Sequence, residues 1–180
     1  MIYCFLAEGF EEVEALSPVD MLRRAGAEVK TVGIGSKKIT GSHGITVECD
    51  LGEDEIEMAD SLEAVILPGG MPGTKNLEKS QTVQSALDFA DKNGKYICAI
   101  CAAPSILGHK GLLKGKNAIA FPGFEKDLEG AVISDRHVVT DGNIITAKGA
   151  GVATDFGLAI VAAIIDSETA MKIRSSIQCL

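Results

Sequence analysis

Cys101 closes the apolar run Lys95-Tyr96-Ile97-Cys98-Ala99-Ile100-Cys101, and Ala102-Ala103-Pro104-Ser105-Ile106-Leu107 follows it. The run reads as a strand, the small pair as a tight turn, and the proline as the opening of a helix. That order puts a thiol at a strand-to-helix turn, with its sulfur at the opening of a helix. Unpaired N–H groups and partial positive charge at a helix start favour an anion. A thiol held there ionises more readily and can serve as a nucleophile or redox centre. The expectation is a depressed Cys101 pKa that depends on a neighbouring acid. The alternative is a structural cysteine, since free cysteines are often buried. Cys98, inside the strand, fits that alternative better.

Two further features could act on such a sulfur. Pro68-Gly69-Gly70-Met71-Pro72-Gly73 follows an apolar run, and its glycines permit close approach of backbone N–H groups. With the amide after Cys101, one such N–H could form an oxyanion hole. The alternative is a plain tight turn, and no Gly-Lys-Ser/Thr follows to make a phosphate loop. In Glu11-Glu12-Val13-Glu14 the acidic residues suit a helix start and a solvated face. Glu14 is the exception, because it lies within a turn of Val13 and Leu16. A carboxyl group buried there has a raised pKa and could donate to a thiolate, or act as a base once ionised. Cys98 and Cys101 also make a C-x-x-C pattern. Three residues of extended chain span about 10 Å, whereas a disulfide needs Cα atoms within about 7 Å, so the spacing opposes a bond.

The elements that must position these residues alternate between strand and helix. Ile2 to Leu6, Glu28 to Val32, Ala64 to Leu67 and Tyr96 to Ile100 read as strands, and Lys38 to Thr40 pairs with Ile45 to Val47 as a small hairpin. Val138 to Thr140 and Ile144 to Thr146 flank the hairpin signal Asp141-Gly142-Asn143. Helices are predicted over 11–25, 54–58, 81–93, 103–109, 152–165 and 167–177, with Pro18 kinking the first or restarting it from a Ser17 cap. Such units imply a mostly parallel sheet covered on both faces, which binds ligands at the carboxyl ends of its strands. Gly9, the Gly69-Gly70 turn and Cys101 all fall at those ends.

The chain has 180 residues, 46% of them apolar, enough for a single domain over 1–180 with a full core. Its formal charge of −8 and lack of a basic patch argue against nucleic acid. Neither Met1 to Leu6 nor Phe156 to Ile165 reads as a signal peptide or a membrane span. Five cysteines at irregular spacing do not form a disulfide framework, which favours a reducing cytoplasm, and no Cys/His cluster has metal-ligand spacing.

Taken together, Gly9-Phe10-Glu11-Glu12-Val13-Glu14, Pro18-Val19-Asp20, Arg23-Arg24-Ala25-Gly26, Leu67-Pro68-Gly69-Gly70, Ala99-Ile100-Cys101-Ala102-Ala103-Pro104, Lys148-Gly149-Ala150-Gly151 and Asp155-Phe156-Gly157-Leu158-Ala159 carry a resemblance. The chain resembles the ThiJ/PfpI superfamily, within the clade of the Parkinsonism-associated deglycase, over nearly its whole length. The resemblance implies a flavodoxin-like α/β sandwich with a nucleophile elbow, usually a homodimer, that needs no cofactor and no metal. It implies Cys101 as the reactive cysteine, Glu14 as its acid, and Gly70 and Ala102 as backbone donors beside the sulfur. Gly69, Ser42, His43, Lys148, Phe121 and Arg24 are implied around the pocket, Arg24 at a subunit interface.

Three departures bear on mechanism. Ala102 stands where protease-type relatives carry histidine directly after the cysteine. Phe121 stands where some deglycase-clade members carry histidine, a feature shared with YajL-like bacterial proteins. His43 replaces an arginine at the rim. Glu14 is thus the one obvious acid–base group. The resemblance implies a glyoxalase or deglycase acting on small carbonyl substrates such as α-oxoaldehydes or on early glycation adducts. An oxidative-stress sensor or redox-regulated chaperone is the alternative, and an amidase or peptidase the third.

Overall fold

The computed structural model describes residues 1–179. In chain order its elements are β1 (Ile2–Leu6), α1 (Glu12–Arg24), β2 (Val29–Gly33), β3 (Lys38–Thr40), β4 (Thr46–Glu48), β5 (Leu51–Gly52), β6 (Ala64–Leu67), α2 (Gly73–Lys79), α3 (Gln81–Lys92), β7 (Tyr96–Ile100), α4 (Pro104–His109), β8 (Asn117–Ala118), β9 (Val132–Ile133), β10 (Val138–Asp141), β11 (Ile144–Ala147), α5 (Ala153–Ile164) and α6 (Ser167–Ser176). Seven strands form one sheet in the order β10-β11-β7-β6-β1-β2-β5. All neighbours run parallel except β10, which the turn at Asp141-Gly142-Asn143 folds back antiparallel on β11. The core order β2-β1-β6-β7-β11 is the doubly wound, flavodoxin-like arrangement.

Strand periodicity divides the interior in two. Ile2, Cys4 and Leu6 of β1 join one core with Val19 and Leu22 of α1, Phe156 and Ile160 of α5, and Ile173 of α6. Tyr3 and Phe5 point to the other, with Val83 and Leu87 of α3 and Ile106 and Leu107 of α4. Both faces are covered, so the parallel strands read as unbroken apolar runs. α1 meets α5 at Gly157, where a side-chain carbon would stand 2.8 Å from Pro18 Cα. α1 passes through Pro18 without restarting, so of the two alternatives the Ser17 cap does not form. Its cap is Glu11, whose carboxylate accepts the Glu14 N–H at 2.7 Å, while Ser17 Oγ pairs with Thr154 Oγ1 at 3.1 Å.

Other expectations also change. Residues 54–58 form no helix. Glu55 takes the Gly52 N–H at 2.6 Å and pairs with Lys37, while the Tyr3 hydroxyl bonds both Glu57 backbone groups at 3.2 Å. These tertiary bonds occupy the backbone groups that a helical turn would use. α2 and the two-residue strands β5, β8 and β9 carry too little periodicity to be read from sequence. No helix among the described residues is long and apolar enough to cross a membrane.

Three loops leave the carboxyl ends of β1, β6 and β7 in contact with one another. Gly70 has φ 91, and a side-chain carbon there would stand 2.4 Å from Glu11 N and 2.6 Å from Gly9 O. Glu11 N–H in turn donates to Gly69 O at 2.9 Å. The loops after β1 and β6 therefore meet backbone against backbone, with no room for a methyl group. Gly26 shares the positive φ (77) but faces open space. Gly26→Ala costs about 1 kcal/mol through φ strain alone, whereas Gly70→Ala adds a further ~1–3 kcal/mol of overpacking. Urea unfolding of the two variants, followed by circular dichroism, checks the difference.

Candidate active site

Cys101 is built into a strained elbow. Its φ is 64, a left-handed conformation that costs a non-glycine residue about 1–2 kcal/mol. The strain is held by its neighbours: Cys101 N–H donates to Ala147 O at 2.9 Å, and Cys101 O accepts Phe121 N–H at 2.8 Å. The turn brings the Gly70 and Ala102 backbone N–H groups onto the sulfur. Cys101 is partly exposed, while Cys4, Cys49 and Cys98 are buried, and all are free thiols. Gly69 lies beneath the pair rather than on a rim. A side-chain carbon there would stand 2.6 Å from both Cys101 Cβ and Glu14 Oε2, and 3.1 Å from the sulfur.

Glu14 reaches this point from the first turn of α1 and is only 1% exposed. Its Oε2 accepts Gly69 N–H at 3.0 Å, and the Ala150 N–H and the Cys101 side chain lie beside the carboxyl. Burial pushes Glu14 up to about 7, partly opposed by the hydrogen bond to Cys101 and assisted by the Glu11 charge. Burial likewise pushes the Cys101 thiol up to about 12, aided by the Glu14 charge and hydrogen bond and opposed by the Ala102 and Gly70 amides. The depressed thiol expected from sequence is thus not what the site produces while Glu14 is ionised. The helix-start argument omitted desolvation and the adjacent carboxylate. Two negative charges do not fit here, but one does, so the pair titrates as a unit.

The rim is organised by a residue that the sequence assigned to a solvated face. Glu12 is 4% exposed. Its Oε1 accepts His43 N–H at 2.8 Å and Ile45 N–H at 3.3 Å, and its Oε2 faces His43 Nδ1 at 3.0 Å and Ser42 Oγ at 3.5 Å. Burial alone would raise the Glu12 pKa, but these bonds hold it below the usual carboxylate value. Hydrogen bonding to Glu12 raises His43 in turn. The one sequence signal for this contact is Gly41, where a side-chain carbon would fall 2.4 Å from the Glu12 carboxylate. Glu11, Glu12 and His43 place donor atoms within 4.8 Å of one another, a grouping that could hold a metal. The hydrogen bonds just described account for Glu12 without an ion.

The remaining predicted rim residues separate. Phe121 and Lys148 line a cavity beside the elbow. Arg24 does not reach it within one chain. It lies ten positions beyond Glu14, about 15 Å along α1, and pairs with Asp20 at 2.8 Å. His43 and His109 are each paired with a glutamate, and His137 lines the same cavity as Lys148.

The shared proton makes a measurable claim. Below pH 7 both groups are protonated. As pH rises through about 7 the pair acquires one negative charge, and Glu14 can then accept the proton as sulfur attacks. Iodoacetamide alkylation of Cys101 is expected to rise with a midpoint near 7 in the wild type. In Glu14→Leu the proton acceptor is gone and burial remains, so the midpoint moves above the ordinary thiol value of 9.0. Rates at pH 7 fall about tenfold or more. An unchanged profile contradicts the pairing.

The chain has relatives among known proteins. The DJ-1/PfpI family model matches residues 1–163. Protein dj-1beta from Drosophila melanogaster is 32% identical over 96% of this chain and 93% of its own length. A deglycase from Pyrococcus abyssi is 34% identical over 81% of this chain and 87% of its own. The structure of oxidised Toxoplasma gondii DJ-1 superposes with a TM-score of 0.93 at 31% identity, covering 98% of this chain and 97% of that one. The chain belongs to the DJ-1/PfpI family.

Proposed function

We propose that this protein is a cysteine-dependent, cofactor-independent enzyme that converts small α-oxoaldehydes to hydroxy acids, and that the same adduct chemistry reverses early glycation. The observation that carries this reading is the Cys101–Glu14 pair: a buried carboxyl at about 7 touching a thiol with two backbone donors. A group poised near 7 can both accept and return a proton at neutral pH.

The steps balance on these residues alone. Sulfur attacks the aldehyde carbon as Glu14 takes the thiol proton, and Glu14 then gives that proton to the carbonyl oxygen to form a hemithioacetal. The ionised Glu14 removes the hydrogen from the former aldehyde carbon, giving an enediolate. Glu14 returns that proton to the former ketone carbon while the hemithioacetal hydroxyl proton passes to the former ketone oxygen, leaving an α-hydroxy thioester. Water hydrolyses it, releasing the hydroxy acid and regenerating the thiol. The aldehyde carbon is oxidised and the ketone carbon reduced within one molecule, so no external oxidant enters. The Gly70 and Ala102 N–H groups lie beside the sulfur, where negative charge develops on oxygen.

With methylglyoxal as substrate, lactate formation is expected from the wild type and a loss of at least ~100-fold in Cys101→Ala and Glu14→Gln. Activity retained in either variant rejects the mechanism.

A second reading is favoured by the oxidised state named for the T. gondii relative. Here the Cys101 sulfur attacks peroxide, releasing water and leaving a sulfenate, and a second peroxide yields the sulfinate. Protonated Glu14 would donate to the sulfinate oxygen. Under graded peroxide, mass spectrometry with peptide mapping is expected to show Cys101 gaining two oxygens before Cys49 or Cys179 gains any. Earlier oxidation at either of those cysteines removes the sensor reading.

A further inference from the structure

The cavity beside the reaction centre is larger and more apolar than methylglyoxal requires. It encloses about 350 Å³ between Phe121, Pro122, Val152 and the Gly149-Ala150-Gly151 backbone, with Lys148 and His137 as its polar members. That volume falls in the range of pockets that hold ring-bearing small molecules. Phe121 is 47% exposed, a large apolar residue left open to solvent.

Its walls are tied to the reacting groups by backbone contacts. Phe121 N–H donates to the Cys101 carbonyl at 2.8 Å. Ala150 N–H lies beside the Glu14 carboxyl. A side-chain carbon on Gly149 would stand 3.2 Å from the Phe121 ring and 3.8 Å from Glu14 Oε1. The side chain that Gly149 lacks would fill the space between the aromatic wall and the catalytic carboxyl. A substrate held with its aldehyde at the sulfur can extend its ketone substituent toward the ring.

We infer that the cavity selects α-oxoaldehydes whose ketone carries an aryl group, with Phe121 and Val152 packing against the ring. This rests on the α-oxoaldehyde reading of the site and adds the substituent. Burial of one aromatic ring against such walls raises kcat/KM by about tenfold or more.

The test compares phenylglyoxal with methylglyoxal, following mandelate and lactate. Each kcat/KM is divided by the rate of the same aldehyde with free N-acetylcysteine, which removes intrinsic reactivity. The normalised ratio is expected to favour phenylglyoxal by about tenfold or more and to fall at least ~5-fold in Val152→Ser. A ratio near unity, or one unchanged by Val152→Ser, overturns the inference while the α-oxoaldehyde reading stands. If neither aldehyde turns over, that reading fails and binding decides the cavity separately. Saturation-transfer NMR with acetophenone is then expected to show contact in the wild type and loss in Val152→Ser. No contact in the wild type, or equal contact in both, overturns the inference.

Discussion

The site admits one negative charge and excludes a second. Glu14 and Cys101 share a pit floored by Gly69, and burial is the largest cause of the upward shift in both. Backbone amides from Gly69 and Ala150 on the carboxyl and from Gly70 and Ala102 on the sulfur compensate for a single anion. Each amide comes from a loop with no side chain, or a small one, in the way. The close approach of Gly9, Glu11 and Gly70 is therefore an electrostatic requirement as much as a packing one. A displaced loop would remove a donor and leave a buried charge unpaired.

Topology supplies this arrangement. In the order β2-β1-β6-β7-β11 the chain leaves β1, β6 and β7 at the same edge of the sheet. The loop after β1 delivers Glu14, the loop after β6 delivers Gly69 and Gly70, and the turn after β7 delivers Cys101. The cores beneath fix these three exits, because every residue of β1 and β6 is buried. Strain at Cys101 is affordable for the same reason: β7 and β11 hold one side of the elbow and Phe121 the other.

Much of this was legible in the sequence, where local pattern and tertiary structure agree. Cys101 stands out because an apolar strand, two small residues and a proline leave one geometry for it. The hairpin at Asp141-Gly142-Asn143 and the helix closed by Gly94 are read from turn chemistry alone. Other features depend on partners distant in the chain. Glu12 looks like a solvated acid because its partners, His43 and Ile45, lie about thirty residues away. Residues 54–58 look helical until the Tyr3 hydroxyl and Lys37 are brought to them. Arg24, implied at a subunit interface, is carried away from its own chain's pocket by the length of α1, which a motif does not contain. Burial and the Glu14 charge, which raise the Cys101 thiol, are not visible in sequence, whereas a helix start is.

A raised thiol pKa is compatible with nucleophilic catalysis because of where its proton goes. A basic sulfur is intrinsically the stronger nucleophile, and only the ionised fraction limits it. In the proposed mechanism Glu14 removes that limit by accepting the proton during attack rather than beforehand. The proton then lies within reach of the oxygen on which charge develops, so addition to a carbonyl needs no proton from solvent. Ala102 and Phe121 bring no imidazole to their positions to compete for that role. A histidine there would spread the proton over a second base and place a positive charge beside the sulfur. The carboxyl at 14 instead keeps the proton inventory to one, and the chemistry that suits one proton moving back and forth is reversible addition to a carbonyl and isomerisation of the adduct.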